Sequence, residues 1–137
     1  MAVLLVPAQA GLIVFSGRVD FDAAAPGLPV EDFEEATIGA GSVGAIPAPL
    51  DAWSSNAHFS PGDILAGVQF SASAVHEGDD LALLGAGYLG NPSKLIVANY
   101  FPDSFNVVLT PGVTAIGFDV YSFMGGGTVR IDVYDPS

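Results

Sequence analysis

The chain has 137 residues, of which 50% are hydrophobic and 13% charged, so it is long enough to bury one core and too apolar to be intrinsically disordered. Fifteen acidic residues against three basic ones give a net charge of −12, which excludes nucleic acid as a partner because phosphates would be repelled. The absence of cysteine excludes a disulfide framework and a thiolate zinc site.

The start of the chain has two interpretations. Residues 1–11 form a short apolar run that ends in Ala8-Gln9-Ala10, the small-x-small pattern before a signal-peptidase cleavage site, but they lack a basic start. They are therefore either the remnant of a signal peptide or an ordinary first strand, and residues 12–137 form the single domain. No stretch approaches the ~20 apolar residues of a membrane-spanning helix, so we expect no transmembrane segment.

Strands account for the rest of the chain better than helices do. Seventeen glycines and ten prolines interrupt almost every window long enough for three helical turns, and the apolar residues between them are largely β-branched or aromatic. Nine segments alternate apolar and polar side chains or lie between turn residues. The predicted strands are 18–22, 32–38, 53–59, 64–73, 81–84, 94–100, 105–109, 113–123 and 128–134.

About nine short strands are typical of an all-β fold, and we predict an antiparallel β-sandwich of jelly-roll type. The Gly-, Ala- and Pro-rich stretch 39–50 is predicted to be a long loop inside the domain. The lone tryptophan, Trp53, is expected in the core. The other expected core residues are Val68, Phe70, Val107, Leu109, Ile116, Phe118, Val120, Val129, Ile131 and Val133.

Two segments, 39–44 and 85–90, match the glycine pattern GxGxxG of dinucleotide-binding proteins. That pattern holds a pyrophosphate only where its glycines open a helix. Pro47 and Pro49 follow the first match and Pro92 follows the second, so both helices would break within about two turns. We therefore interpret both segments as glycine-rich turns between strands.

Carboxylates near turns predict a calcium site, because calcium takes several oxygen ligands from acidic side chains and turn carbonyls. The expected metal ligands are Glu31, Asp32, Glu34, Asp119 and Asp132. Aromatic rings stack on sugar rings, so the set Trp53, Tyr88, Tyr100, Tyr121 and Tyr134 predicts a sugar-binding face if its members share an exposed surface, which is the alternative to the core for Trp53. The expected ligand-binding residues are Tyr88, Tyr100 and Tyr134.

Several segments share loose alternations of apolar and polar residues. They are Val19-Asp20-Phe21, Glu31-Asp32-Phe33-Glu34, Ser60-Pro61-Gly62 with Gly67-Val68-Gln69-Phe70, 113–119 (VTAIGFD) and 128–135 (TVRIDVYD). In these segments the chain resembles the exported β-sandwich domains of bacterial proteins that carry a PEP-CTERM tail for exosortase sorting. The resemblance covers residues 19–137 and implies export and association with the cell surface or matrix. It carries over no catalytic residues, and the sorting tail is not among these residues.

Two functions follow from these observations. The leading hypothesis is a secreted or cell-surface, non-catalytic binding or structural module, with a matrix polysaccharide or other surface proteins as partners. The alternative is a small hydrolase that uses carboxylates or one of the two histidines, His58 and His76. A hydrolase needs a convergent cluster of titratable groups, whereas a binding module does not. The oligomeric state stays open, since an exposed edge strand can also pair between copies.

Overall fold

The computed structural model describes residues 13–73, 80–100, 102–120 and 130–134, so residues 1–11, predicted to be a signal-peptide remnant or a first strand, lie outside the described residues. Within these ranges the chain is β-rich and forms one short helix. The elements are α1 (Arg18–Ala24), β1 (Val43–Pro47), β2 (Leu50–Asp51), β3 (Val68–Ala72), β4 (Asp80–Leu84), β5 (Leu95–Ala98) and β6 (Phe105–Leu109). In the part of the chain that is described, no helix has the length and hydropathy needed to cross a membrane.

The strands form two antiparallel three-stranded sheets, in the orders β1-β4-β5 and β2-β3-β6. In the first sheet Ile46 lies opposite Leu81, and in the second Phe70 lies opposite Val107. The chain passes from the first sheet to the second at Ala48-Pro49, between β1 and β2. Strands β4 and β3 are therefore central, each with a neighbour on both sides.

One hydrophobic core contains side chains from both sheets. The last four residues of β4 are all buried, and since successive side chains point to opposite faces, both faces of this strand are covered. Phe33, from the loop before β1, packs edge-on against Phe70 with 5.5 Å between the ring centroids. The largest fully buried side chains are Ile46, Leu50, Ile64, Leu81 and Leu83. The antiparallel β class expected from the sequence is thus present, with two sheets around a shared core.

Four of the six strands lie where alternation or flanking turn residues predict them: β3, β4, β5 and β6. The prediction of a loop over 39–50 is wrong, because this stretch contains β1 and the first residue of β2. Glycine and proline lower the strand propensity there, yet proline is tolerated at a strand end and glycine where another group approaches closely. Gly44 is such a position, since the ring of His58 lies against its Cα and leaves no room for a Cβ.

The strand predicted over 18–22 is wrong, because these residues belong to helix α1. Val19 is exposed, so the alternation of the sequence VDFD does not bury an apolar face. The carboxylate of Asp22 lies 3.5 Å from the guanidinium of Arg18, one helical turn away, and an alanine run follows. Both features favour a helix.

The strands predicted over 32–38 and 53–59 are also wrong, because polar side chains fold both segments into turns. Asn56 Oδ1 accepts hydrogen bonds from the backbone N–H groups of His58 (2.8 Å) and Phe59 (3.0 Å). Asp32 Oδ1 accepts from the N–H of Glu34 at 3.1 Å. Such local bonds compete with a sheet ladder for the same backbone donors.

The described residues of the C-terminal segment do not form the expected core strands, and residues 121–123 and 128–129 of the two predicted strands lie outside the described residues. Residues 113–120 and 130–134 are not in strands, and the five expected core residues among them are exposed: Ile116, Phe118, Val120, Ile131 and Val133. The core is filled instead by side chains from earlier in the chain, among them Ile46 of β1 and Leu50 of β2, two strands that were not expected. Of the other expected core residues, Phe70 is buried, Val68, Val107 and Leu109 are partly buried, and Val129 lies outside the described residues. The described residues hold six strands, so the count of nine is not confirmed.

Candidate functional site

A shallow groove of about 400 Å³ opens at one end of the second sheet, and we call it the Trp53 groove. The turn after β2 (51–53), the entry to β3 (66–69) and the exit from β6 (108–111) line it. The N–H of Thr110 donates to the carbonyl oxygen of Gly67 at 2.9 Å and continues the pairing of β3 with β6. The regular sheet thereby holds two walls of the groove in fixed positions.

Trp53 stands at this groove with 85% of its surface exposed, so its expected place in the core is wrong. Its backbone N–H donates to Asp51 Oδ1 at 2.9 Å, and the N–H of Asp51 donates to Ser54 Oγ, also at 2.9 Å. The N–H of Ser54 donates back to the carbonyl oxygen of Asp51 at 3.0 Å. The backbone that carries the indole is therefore fixed by three hydrogen bonds, while the ring itself faces water.

Asp51 supplies the negative charge of the groove. Hydrogen bonds lower the pKa of its carboxyl group, chiefly the one from the Trp53 N–H, so the group stays ionised in mildly acidic solution. Its Oδ2 atom accepts one long hydrogen bond, 3.4 Å, from Gln69 Nε2. An oxygen with one long bond retains acceptor capacity toward a ligand. The predictions from sequence did not include Asp51 or Gln69, although Asp-x-Trp-Ser is a turn pattern that indicates a fixed aspartate.

The three tyrosines expected to bind ligand do not lie at this groove. Tyr88, Tyr100 and Tyr134 are all exposed, but none of them is among the residues that line it. Tyr88 belongs to the glycine-rich turn after β4, Tyr100 follows β5, and Tyr134 ends the described part of the chain. All three line a second, wider cavity of the molecule, and their role in ligand binding stays a prediction from the sequence.

The expected metal ligands are divided among four places. Glu31 and Asp32 lie together with Glu35, and one carboxylate oxygen from each falls within 4.8 Å of the others. The remaining three expected ligands are each ion-paired to a basic side chain. The pairs are Glu34 with Lys94 (3.3 Å), Asp119 with Arg18 (2.6 Å) and Asp132 with Arg130 (2.9 Å).

Glu31 joins two segments of the chain. Its Oε1 accepts from the N–H of Phe33 at 3.0 Å, and its Oε2 accepts from the N–H of Leu65 at 2.7 Å, just before β3. Burial raises the pKa of its carboxyl group, and the two backbone hydrogen bonds oppose this effect only in part. The hydrogen bonds also hold Phe33 in a left-handed conformation with φ at 59°, which directs its ring onto the core.

The raised pKa of Glu31 predicts a pH dependence with a definite sign. The folded state holds the proton more tightly than the unfolded state, so this group's contribution to stability falls as pH rises above the ordinary glutamate range. The side chain of Glu31→Gln cannot ionise. Its amide has one oxygen and so can accept only one of the two backbone hydrogen bonds, and the free energy lost in this way does not vary with pH. The free energy of unfolding of the unmodified protein minus that of Glu31→Gln should therefore decrease with rising pH in urea titrations. A difference that is constant or increases would contradict this assignment.

Comparison with known proteins does not assign a function to the groove. No protein-family model, curated protein or solved structure matches this chain. The resemblance to exported PEP-CTERM domains therefore stays a prediction from the sequence.

His58 has a structural position. Its Nδ1 lies 2.8 Å from the carbonyl oxygen of Thr37, and the N–H of Thr37 donates to the carbonyl oxygen of His58, also at 2.8 Å. The rest of the ring lies against Gly44 in β1. The side chain of His58 thus fixes the loop before β1 to the loop after β2. The other histidine, His76, lies outside the described residues.

The two GxGxxG segments lie side by side and neither opens a helix. Residues 85–90 form the predicted turn, whereas the first segment is a turn only up to Ser42 and its last two residues begin β1. The N–H of Gly41 donates to the carbonyl oxygen of Ala86, and the N–H of Gly85 donates to that of Ser42, both at 2.9 Å. The buried Asn91 closes the second turn, since its Nδ2 donates to the carbonyl oxygen of Gly85 at 3.1 Å. Both matches serve the β1–β4 pairing rather than a nucleotide.

Proposed function

We propose that the protein is a non-catalytic carbohydrate-binding module and that the Trp53 groove is its binding site. The observation that carries the proposal is the indole of Trp53, exposed on a hydrogen-bonded turn beside a groove. Leaving a tryptophan in water forgoes about 2 kcal/mol or more of hydrophobic stabilisation. Such an exposed ring on a fixed turn is well suited to stack on the apolar face of a sugar.

Polar groups around the ring suit the hydroxyl groups of a sugar. Gln69 provides an amide and Thr110 a hydroxyl, and both residues line the groove together with the carboxylate of Asp51. A sugar presents an apolar face and a rim of donors and acceptors, so one ring and several fixed polar groups are complementary to it. Because the turn and the sheet hold these groups before binding, little ordering entropy is lost on association.

The proposal also places the module outside the cell, secreted or at the cell surface. It rests on the export-like start, the acidic composition and the PEP-CTERM resemblance of the sequence. The two antiparallel sheets around one core support a sandwich, and we propose the jelly-roll-like arrangement within that class. We also propose other surface proteins as partners of the module. Calcium bound by Glu31, Asp32 and Glu35 is the proposed structural cofactor.

Trp53→Ala should lower the affinity for any bound glycan at least about tenfold while leaving the melting temperature unchanged, because the ring contributes to binding and not to the core. The measurement is a glycan array on the full chain, in calcium and in chelator, followed by titration of each glycan that binds. Tyr134→Ala is the matched control, since it removes an aromatic ring that is 83% exposed and lies outside the groove.

Three outcomes of this experiment would count against parts of the proposal. Loss of binding in Tyr134→Ala with full binding in Trp53→Ala would move the site away from the groove. Identical binding and melting in calcium and in chelator would remove calcium from the proposal. Release of reducing ends from a bound glycan, abolished in Glu31→Gln or in a His58 variant, would favour the hydrolase.

A further inference from the structure

The charges of this chain restrict which glycans the groove can accept. The chain has three basic side chains, and all of them form ion pairs with carboxylates: Arg18 with Asp22 and Asp119, Lys94 with Glu34, and Arg130 with Asp132. None of the three lines the Trp53 groove. A glycan that carries carboxylate or sulfate groups would thus approach a chain of net charge −12 with no lysine or arginine at the site.

The side chains inside the groove favour a positively charged ligand over a negatively charged one. Trp53 and Asp51 are two residues apart on one turn, both line the groove, and the Trp53 N–H donates to the Asp51 carboxylate. An indole face attracts a cation through its quadrupole, and a carboxylate attracts it through charge and hydrogen bonding. Asp51 Oδ2, with its one 3.4 Å hydrogen bond from Gln69, retains acceptor capacity for this contact.

We propose that the Trp53 groove prefers glycans that contain free amino sugars, with the ammonium group held between the indole of Trp53 and the carboxylate of Asp51. This inference rests on the proposed carbohydrate-binding function and names the class of sugar that the same site takes. A neutral sugar can use the same stacking surface, so it binds more weakly but still depends on Trp53. The preference for the amino sugar depends on the charge of Asp51.

Three probes matched in length test the inference: oligomers of glucosamine, of N-acetylglucosamine and of a uronic acid. At mildly acidic pH glucosamine is protonated while Asp51 is still ionised, because its pKa is lowered. The full chain should bind the glucosamine oligomer about three- to fivefold more tightly than the N-acetylated one at low salt, and the uronate most weakly. Because the contact is exposed to solvent, high salt should remove most of the preference.

Asp51→Asn should abolish the preference without abolishing binding. Asparagine keeps the oxygen that accepts from the Trp53 N–H, and its amide can pair with a flipped Gln69 amide, so the turn should persist. Asp20→Asn is the matched control, because it removes the same charge from the exposed first turn of α1, outside the groove. Attraction of a polycation to the acidic chain as a whole would decrease equally in both variants.

The possible results separate this inference from the function on which it rests. Binding of both oligomers that requires Trp53 but shows no amino-sugar preference would overturn the inference and leave the proposed function standing. An equal loss of preference in Asp20→Asn and Asp51→Asn would overturn it as well. Absence of Trp53-dependent binding to any of the three probes and to the array would overturn both.

Discussion

Replacing Ile46 by alanine should lower the free energy of unfolding by about 2–5 kcal/mol, whereas the same replacement at Ile131 should change it by less than about 0.5 kcal/mol. Ile46 lies in β1 with 0% of its surface exposed, and Ile131 lies in the C-terminal segment with 59% exposed. The first substitution opens a cavity against Leu81 on the neighbouring strand. The second removes methyl groups that are already in water.

Urea denaturation followed by circular dichroism measures both differences, and the two variants control for each other because the side chain removed is identical. The sequence alone predicts the reverse ranking, since Ile131 has an ideal strand alternation and Ile46 lies in a Gly- and Pro-rich stretch. If Ile131→Ala proved the more destabilising, the C-terminal segment would belong to the core and the fold described here would be wrong. Equal small effects would contradict the burial of β1.

Gly85→Ala should destabilise the protein by about 3 kcal/mol or more. A Cβ at this position would run into the carbonyl oxygen of Gly39, which is a backbone atom and cannot rotate away. The two glycine-rich segments would have to separate, and the hydrogen bonds Gly41 to Ala86 and Gly85 to Ser42 would lengthen or break. Overpacking and lost hydrogen bonds then act together.

Gly39→Ala is the matched control for this substitution, because it adds the same methyl group to the partner segment. A Cβ there would meet only the Ser42 hydroxyl at 3.5 Å, which is an ordinary contact. Its free energy of unfolding should stay within about 1 kcal/mol of the unmodified protein. Comparable losses in both variants would show that glycine flexibility, and not the contact between the segments, is what the turn requires.

The part of the fold that the sequence predicts is the part where local pattern and tertiary position agree. Strands β3 and β6 alternate, and β4 and β5 are short apolar runs between turn residues, so each can be read from the chain. Strand β1 cannot, because its glycine, its last residue Pro47 and the following Pro49 argue against a strand, and only pairing with β4 explains it. The C-terminal alternation fails for the opposite reason, since its pattern is ideal but side chains from other segments, such as Ile46 and Leu50, fill the core.

The sequence indicates which type of ligand the protein could bind, but it does not indicate where the candidate site lies. The net charge, the scarcity of basic residues and the supply of aromatic rings are properties of composition, and all bear on what the groove can bind. The sequence predicts a core position for Trp53 because large apolar residues are usually buried. Its exposure follows from the hydrogen bonds of Asp51 and Ser54, which form a turn where alternation suggests a strand. The groove is formed by three segments that are distant in sequence, so the local pattern of no single segment predicts it.

Intrinsic fluorescence is the most direct measurement of the proposed site, because the chain contains one tryptophan and that residue is Trp53. In the free protein the emission should resemble that of an indole in water and should be quenched readily by acrylamide, a neutral quencher that the acidic chain does not repel. Addition of each glycan that binds on the array should shift the emission to shorter wavelength, protect it from acrylamide, and saturate at the affinity measured independently. An emission typical of a buried indole, or no change with glycans that do bind, would contradict the account.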